Sequence, residues 1–199
     1  MMMRWLLLLT AVAAAHPVDR EAERPVIAVV PVGDVDAGVA AALAPALETA
    51  FGSKVVVAPA VPLAAFAYEP RRRQYLSTAI LDALAGAKRP GWERLLGVAD
   101  VDLYVPDLNF VFGEGDSRRG VGVFSLHRLH PGASDADGQA LFQRRAATEA
   151  IHELGHAYGL GHCRDPRCVM WFSNTLAESD RKGTRFCPAH AAELDRRRR

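Results

Sequence analysis

The stretch "HELGHAYGLGH", residues 152–162, constrains this chain more than any other. His152 and His156 stand four apart, so on a helix of 3.6 residues per turn their side chains leave one face about one turn apart and both imidazoles can reach a single ion. Apolar residues at helical spacing, among them Ala147, Ile151 and Leu154, predict such a helix over 140–158. Glu153 is set slightly to one side, where a carboxylate meets a metal-bound water. Gly159 can take a positive φ at no steric cost, which ends the helix and swings the chain so that His162 returns as a third ligand; Gly161 eases the same bend. At average composition the five fixed residues of HExxHxxGxxH arise at a given position with odds on the order of 10⁻⁸ to 10⁻⁷. Chance is a poor explanation, and any fold must hold a long helix, a bend and a returning loop around one point.

A second set of donors follows. Cys163, Cys168 and Cys187 lead to His190 in the pattern C-x4-C…C-x2-H, with Met170 two residues beyond the second Cys. Three thiols and an imidazole make a closed four-ligand set suited to structural zinc, with no position left for water or substrate. Two zinc ions with different duties are therefore expected, one at His152, His156 and His162, the other at Cys163, Cys168, Cys187 and His190. The competing reading is a Cys163–Cys168 disulfide with Cys187 free.

That alternative draws strength from the N-terminus. Arg4 forms a short positive region, Trp5 to Ala14 an apolar one, and Ala13 to Ala15 a small-residue cleavage pattern, so residues 1–15 read as a signal peptide and the protein as exported, periplasmic or secreted. The apolar run is about half of the ~20 residues a spanning helix needs, and no membrane span is expected. Residues 16–199 then form a single domain, with 26–162 as an N-terminal part carrying the long helix and 163–199 as a C-terminal part stapled by zinc. The whole chain has 24 Lys and Arg against 23 Asp and Glu. Four of the basic residues are Arg196 to Arg199, which read as a solvated helix end, so no nucleic-acid partner is expected. A monomer is expected.

Upstream, "VIAVV" from Val26 to Val30 and "KVVVA" from Lys54 to Ala58 look like strands buried on two faces. Residues 36–51 are helix-like with a break at Pro45, and residues 71–88 form an amphipathic helix. Alternation over 101–105, 108–112 and 120–126 predicts half-exposed strands near a sheet edge, followed by a loop over 131–138 and a long helix from Gln139. The class is α+β.

HExxHxxGxxH followed by C-x4-C-x-M, together with "LYVPDLNFVFGEG" (103–115) and "CVMWFSNTLAESDRKGTRFCPAH" (168–190), resembles the archaemetzincin family of zinc metallopeptidases within the metzincin clan. The resemblance covers roughly residues 26–190. It implies a zincin-like fold with a mixed sheet, an edge strand over a horizontal cleft and the active-site helix at its floor. It also implies that Glu153 is the general base of peptide hydrolysis, that Met170 forms a turn beneath the site, and that the substrate is a peptide or protein. An extended substrate is expected to add as a strand along Leu108 to Phe112. Three departures stand out: His190 occupies the place of a fourth Cys, Trp171 follows Met170 where a small polar residue is usual, and the family generally lacks a leader. A non-catalytic zinc-binding module that holds peptides in the same cleft is the rival reading; Trp171, narrowing the pocket, favours it and Glu153 opposes it. An aminopeptidase would need an acidic anchor, for which Glu114 and Asp116 are candidates.

The two cysteine readings separate by mass. After metal removal and alkylation without reductant, the zinc reading expects three alkyl groups per chain, and the disulfide reading expects one.

Overall fold

The structure, a computed structural model, describes residues 24–132 and 135–199. The leader read over residues 1–15 lies outside them. In chain order the elements are β1 (Val26–Pro31), α1 (Ala37–Ala42), α2 (Ala44–Phe51), β2 (Lys54–Val57), β3 (Tyr68–Glu69), β4 (Gln74–Leu76), α3 (Ser77–Ala87), β5 (Trp92–Ala99), β6 (Leu103–Tyr104), β7 (Gly113–Asp116), β8 (Val121–Ser125), α4 (Ala136–Ala157), α5 (Leu176–Arg181) and α6 (Pro188–Arg197). The main sheet has the order β2-β1-β5-β8-β7. Its first four strands are parallel, and β7 closes the edge antiparallel to β8. The class is the α+β, mixed-sheet arrangement that the sequence implies. No helix among the described residues is long and apolar enough to cross a membrane.

Both faces of this sheet are covered, which is why β1 is apolar without alternation. Ile27 and Val29 face a core shared with Leu47, Phe51 and the α4 residues Ala150, Ile151 and Leu154. Val30 and Val32 face the opposite core with Ile80, Leu81 and Leu84 of α3. The helix break falls as expected, with Pro45 in the first turn of α2, where its missing N–H costs nothing.

Three expectations change, and the sheet holds one strand that no expectation covered. β2 is an edge strand with its side chains half-buried or exposed, so Lys54 to Ala58 is not sandwiched. The helix predicted over 71–88 begins only at Ser77. Arg73 adopts a positive φ of 56° in a turn closed by its amide donating to the Glu69 carbonyl, and Tyr75 and Leu76 pair with β6. Residues 108–112 are no edge strand: among them only Val111 bridges to Leu103, and the sheet edge is β7. The central strand β5 escapes apolar patterning because Glu93, Arg94 and Gly97 interrupt it; a Cβ at Gly97 would lie 2.5 Å from a Leu84 methyl, so any larger residue there would displace Leu84.

Glycines also set the distance between α4 and the sheet. A Cβ at Gly115 would lie 2.5 Å from the His156 Cβ and 2.6 Å from the Glu153 carbonyl oxygen, and one at Gly113 would lie 2.5 Å from the Glu153 Cγ. Gly122 on β8 faces the same Glu153 carbonyl at 3.1 Å. Gly115→Ala therefore forces backbone apart, a type of overpacking that costs about 2 kcal/mol. Thermal unfolding should show a fall in Tm of about 4–8 °C. Gly86→Ala, where an added Cβ meets nothing within 4 Å, should leave Tm level or slightly higher.

Candidate active site and a second metal-binding cluster

The C-terminal half of α4 brings His152, His156 and His162 together. The Nε2 atom of His156 is 3.1 Å from that of His152 and 3.2 Å from that of His162. Two of the rings are oriented from behind. The Nδ1 of His152 faces the Val169 carbonyl at 2.8 Å, and the Nδ1 of His156 faces the Leu160 carbonyl at 2.8 Å. A carbonyl can only accept, so Nδ1 carries the proton on both rings, at His152 because the Val169 carbonyl at 2.8 Å is much closer than the Lys182 Nζ at 3.4 Å, and both Nε2 lone pairs point at the shared centre. The helix ends as the sequence predicts, with Gly159 at φ 88°.

Burial keeps these rings neutral. It drives His152 well below the usual imidazole range, with the Lys182 charge adding to it, and lowers His156 to about 4. His162, the most exposed ring, is lowered by partial burial and by Lys182. Glu153 shifts the other way. Burial, reinforced by Glu149 and opposed by Lys182, raises its carboxyl well above the normal value. Its Oε2 atom is buried without a hydrogen-bond partner. A neutral nitrogen triad beside an unpaired buried carboxylate oxygen fits a divalent cation and its water better than it fits a self-contained protein core.

Met170 is fully buried, and its sulfur would lie 2.4 Å from a Cβ placed on Gly155, so the chain passes directly beneath the helix that carries the triad. Behind His152 lies a buried ion pair: Lys182 Nζ is 3.2 Å from Glu149 Oε1 and 3.3 Å from the Trp171 carbonyl. Ser179 donates to the same Glu149 oxygen at 2.5 Å. Arg145 clamps Asp180 with two bonds of 2.7 and 2.6 Å, holding α5 against α4.

The triad and Glu153 open onto a cleft of about 510 Å³. Phe110, Phe112 and Phe172 supply apolar wall, and β7 lies along it through Gly113, Glu114 and Gly115. The carbonyls of Leu108 and Asn109 already accept from Arg72 and Gln74, so that segment has less to offer an incoming strand than the sequence suggested. Glu114 lines the cleft, but its carboxylate accepts from Ser77 and Thr78. Asp116 is tied to Arg119 at 2.6 Å and lies outside the cleft lining. Trp171 is not among the lining residues; Phe172 is.

Cys163, Cys168, Cys187 and His190 form the second cluster, with all ligand atoms within 4.8 Å of one another. The three cysteines are free thiols, and Cys163 Sγ and Cys187 Sγ are 3.8 Å apart. His190 turns its Nδ1 toward Cys187 Sγ at 3.3 Å and Cys168 Sγ at 3.9 Å. Burial raises Cys168 to about 11; at Cys187 burial also pushes upward, but hydrogen bonds from His190, Cys168 and Cys163 together outweigh it and lower the thiol to about 7. Soft sulfur donors and one imidazole fit zinc.

His127 and His130 join neither cluster; His130 stacks on Phe142 and meets Asp100 at 3.4 Å. Asp102 pairs with Arg128 at 2.6 and 2.7 Å. Of the terminal arginines, Arg198 is not merely solvated: it donates to the Phe51 carbonyl and to Ser53. Sequence reasoning missed Glu149 and Lys182. Glu149 was discoverable, since it precedes His152 by three residues and His156 by seven and so lies on the buried face of the helix. Lys182 carried no local signal.

The profile of Peptidase family M54 matches residues 53–196. Archaemetzincin of Pyrococcus furiosus is 40% identical over 182 residues, covering 87% of this chain and 94% of its own. The crystal structure of archaemetzincin from Methanopyrus kandleri is similar with a TM-score of 0.78 at 34% identity, covering 87% of this chain and 95% of that one. That of Archaeoglobus fulgidus archaemetzincin, complexed with malonate, has a TM-score of 0.72 at 37% identity and covers 84% and 99%.

The lowered histidines make the metal-free protein acid-sensitive. Below the unfolded value of 6.5 the unfolded chain takes up protons that folded His156 refuses until about pH 4, so its contribution is complete above pH 6.5 and lost as pH falls through that window. The loss is about 3 kcal/mol, at about 1.4 kcal/mol per pH unit. Glu153, with a raised carboxyl, acts in the opposite direction, so the comparison must be differential. The stability of metal-free wild type relative to His156→Gln, from urea unfolding, should fall by about this amount between pH 7 and pH 4.

Proposed function

Since this chain belongs to the archaemetzincins, Peptidase family M54, a family of zinc-dependent peptidases, we propose that His152, His156 and His162 hold its catalytic zinc, that Glu153 is the general base, and that Cys163, Cys168, Cys187 and His190 hold a second, structural zinc. The observation that carries this reading is the convergence of three imidazole Nε2 atoms next to a buried carboxylate oxygen with no other partner. When bound, zinc supplies Lewis acidity, bringing the pKa of a coordinated water from 15.7 toward about 7.

The chain's own residues do the rest. Glu153 accepts a proton from the attacking water at its unpaired oxygen and delivers it to the departing amine. Its raised proton affinity suits both halves of that task, because a carboxyl far below neutrality would hold the proton too weakly to pass it on. Val169 and Leu160 fix the rings, so little reorganisation accompanies binding. An extended peptide adds along β7, the antiparallel edge that lines the cleft, and apolar side chains meet Phe110, Phe112 and Phe172. The absence of an indole from the cleft lining removes the feature that favoured a binding-only module. Export through residues 1–15 is part of the same proposal and rests on the sequence pattern alone.

Metal analysis of the purified protein should give two zinc atoms per chain. Glu153→Gln should keep both while lowering peptide hydrolysis by a factor of about 10² to 10⁴, measured on a mixed peptide library whose cut positions also separate endopeptidase from aminopeptidase action. Full hydrolysis by that variant would remove Glu153 from the mechanism.

A further inference from the structure

The three triad rings are not held alike. His152 and His156 are each fixed through Nδ1 by a backbone carbonyl. Among the described residues no hydrogen bond reaches the Nδ1 of His162, which is also the exposed member; outside the triad the aromatic ring beside it is Phe172, at 4.8 Å. With no hydrogen-bond partner on Nδ1, its placement depends on the backbone on either side. On the C-terminal side the Cys163 amide donates to the Met170 carbonyl at 2.8 Å. On the N-terminal side stands Gly161, whose position packing does not fix, since an added Cβ there would meet nothing within 4 Å. One contact holds its carbonyl: the Nε2 of His190, at 3.2 Å.

We propose that His190 is a positioning residue for His162, joining the Cys cluster to the catalytic triad through its two ring nitrogens. The proposal rests on the reading of Cys163, Cys168, Cys187 and His190 as a zinc site. Nδ1 faces the cluster, within 3.3 Å of Cys187 Sγ and 3.9 Å of Cys168 Sγ. Nε2 faces a carbonyl and so must carry the proton. A metal ion on Nδ1 locks that tautomer and polarises the ring, which strengthens the bond to Gly161. Filling the cluster thus fixes the residue that precedes the third triad ligand. A cysteine at position 190 could supply the cluster ligand, but a thiolate has no N–H on its far side and would release the Gly161 carbonyl. The same short segment is tied into both sites elsewhere: Cys163 follows His162, and Cys168 precedes Val169, whose carbonyl orients His152.

Cobalt(II) titration of the reduced, metal-free chain reads the two sites separately, because thiolate ligation gives an intense sulfur-to-cobalt absorption that an all-imidazole site lacks. His190→Cys should still develop the sulfur band while its triad binds cobalt about 10-fold more weakly than wild type, the lower end of the range for losing an orienting partner. A sulfur band with triad affinity within about twofold of wild type would overturn the proposal and leave the zinc-cluster reading intact. No sulfur band in wild type would overturn that reading and the proposal with it. Should His190→Cys fail to load, histidine ¹⁵N NMR of zinc-loaded wild type decides: a slowly exchanging His190 Nε2 proton supports the link, and one exchanging as fast as in a free imidazole refutes it.

Discussion

The closeness with which backbone approaches the C-terminal half of α4 governs the rest of the structure. Residues 145–155 of this helix are buried on every side, a demanding situation for a segment that carries Glu149, His152 and Glu153. On the sheet side, Gly113, Gly115 and Gly122 remove the side chains that would otherwise hold the helix away. On the other side, Gly155 lets Met170 lie against the helix backbone. With both gaps closed, water is kept from the backs of the histidines, and backbone carbonyls rather than solvent hold their Nδ1 protons. Tight packing and ring orientation are thus one constraint seen from two sides.

That packing leaves charge inside the protein, where unpaired ions are costly. Lys182 and Glu149 answer each other; Lys182 also meets the Trp171 carbonyl and lies 3.4 Å from the His152 Nδ1, and Glu149 accepts from the Ser179 hydroxyl. Breaking such a pair by removing one member leaves the other buried and unpaired, typically at 3–5 kcal/mol. Because Lys182 follows α5 and Glu149 belongs to α4, the pair, together with Arg145 and Asp180, ties the segment after Met170 to the helix that carries the triad. The Lys182 charge also disfavours protonation of all three histidines. The cation that helps hold the chain together thereby keeps the rings in the form that binds metal.

Much of the candidate site was legible in residue order because its parts are local. The i, i+4 histidines, Glu153, the bend at Gly159 and the short Cys163–Cys168 interval all depend on helix pitch and on what glycine permits. The fold was less legible where elements are interrupted or covered. β5 runs through the middle of the sheet with two charged residues and a glycine in its length, and only the helix packed upon it shows what that glycine makes room for. Residues 71–76 have helical spacing, but a turn at Arg73 gives Gln74 to Leu76 to a second, three-stranded sheet of order β3-β4-β6 instead. Phe110 and Phe112 alternate like strand residues, yet they serve as cleft wall because Arg72 and Gln74 occupy the neighbouring carbonyls.

By itself, then, the sequence determined the ligand chemistry: three imidazoles and a carboxylate within eleven residues, and three thiols with an imidazole close behind. Those donor types and spacings suit a metal centre, because coordination depends on atoms and short-range geometry. Tertiary structure alone decided what surrounds the donors. Gly115, Val169, Lys182 and the Gly161–His190 contact are distant from their partners along the chain, and no periodicity links them. Their roles arise from close packing and from the need to satisfy every buried polar group, conditions that apply to a folded volume and have no counterpart in a string of residues.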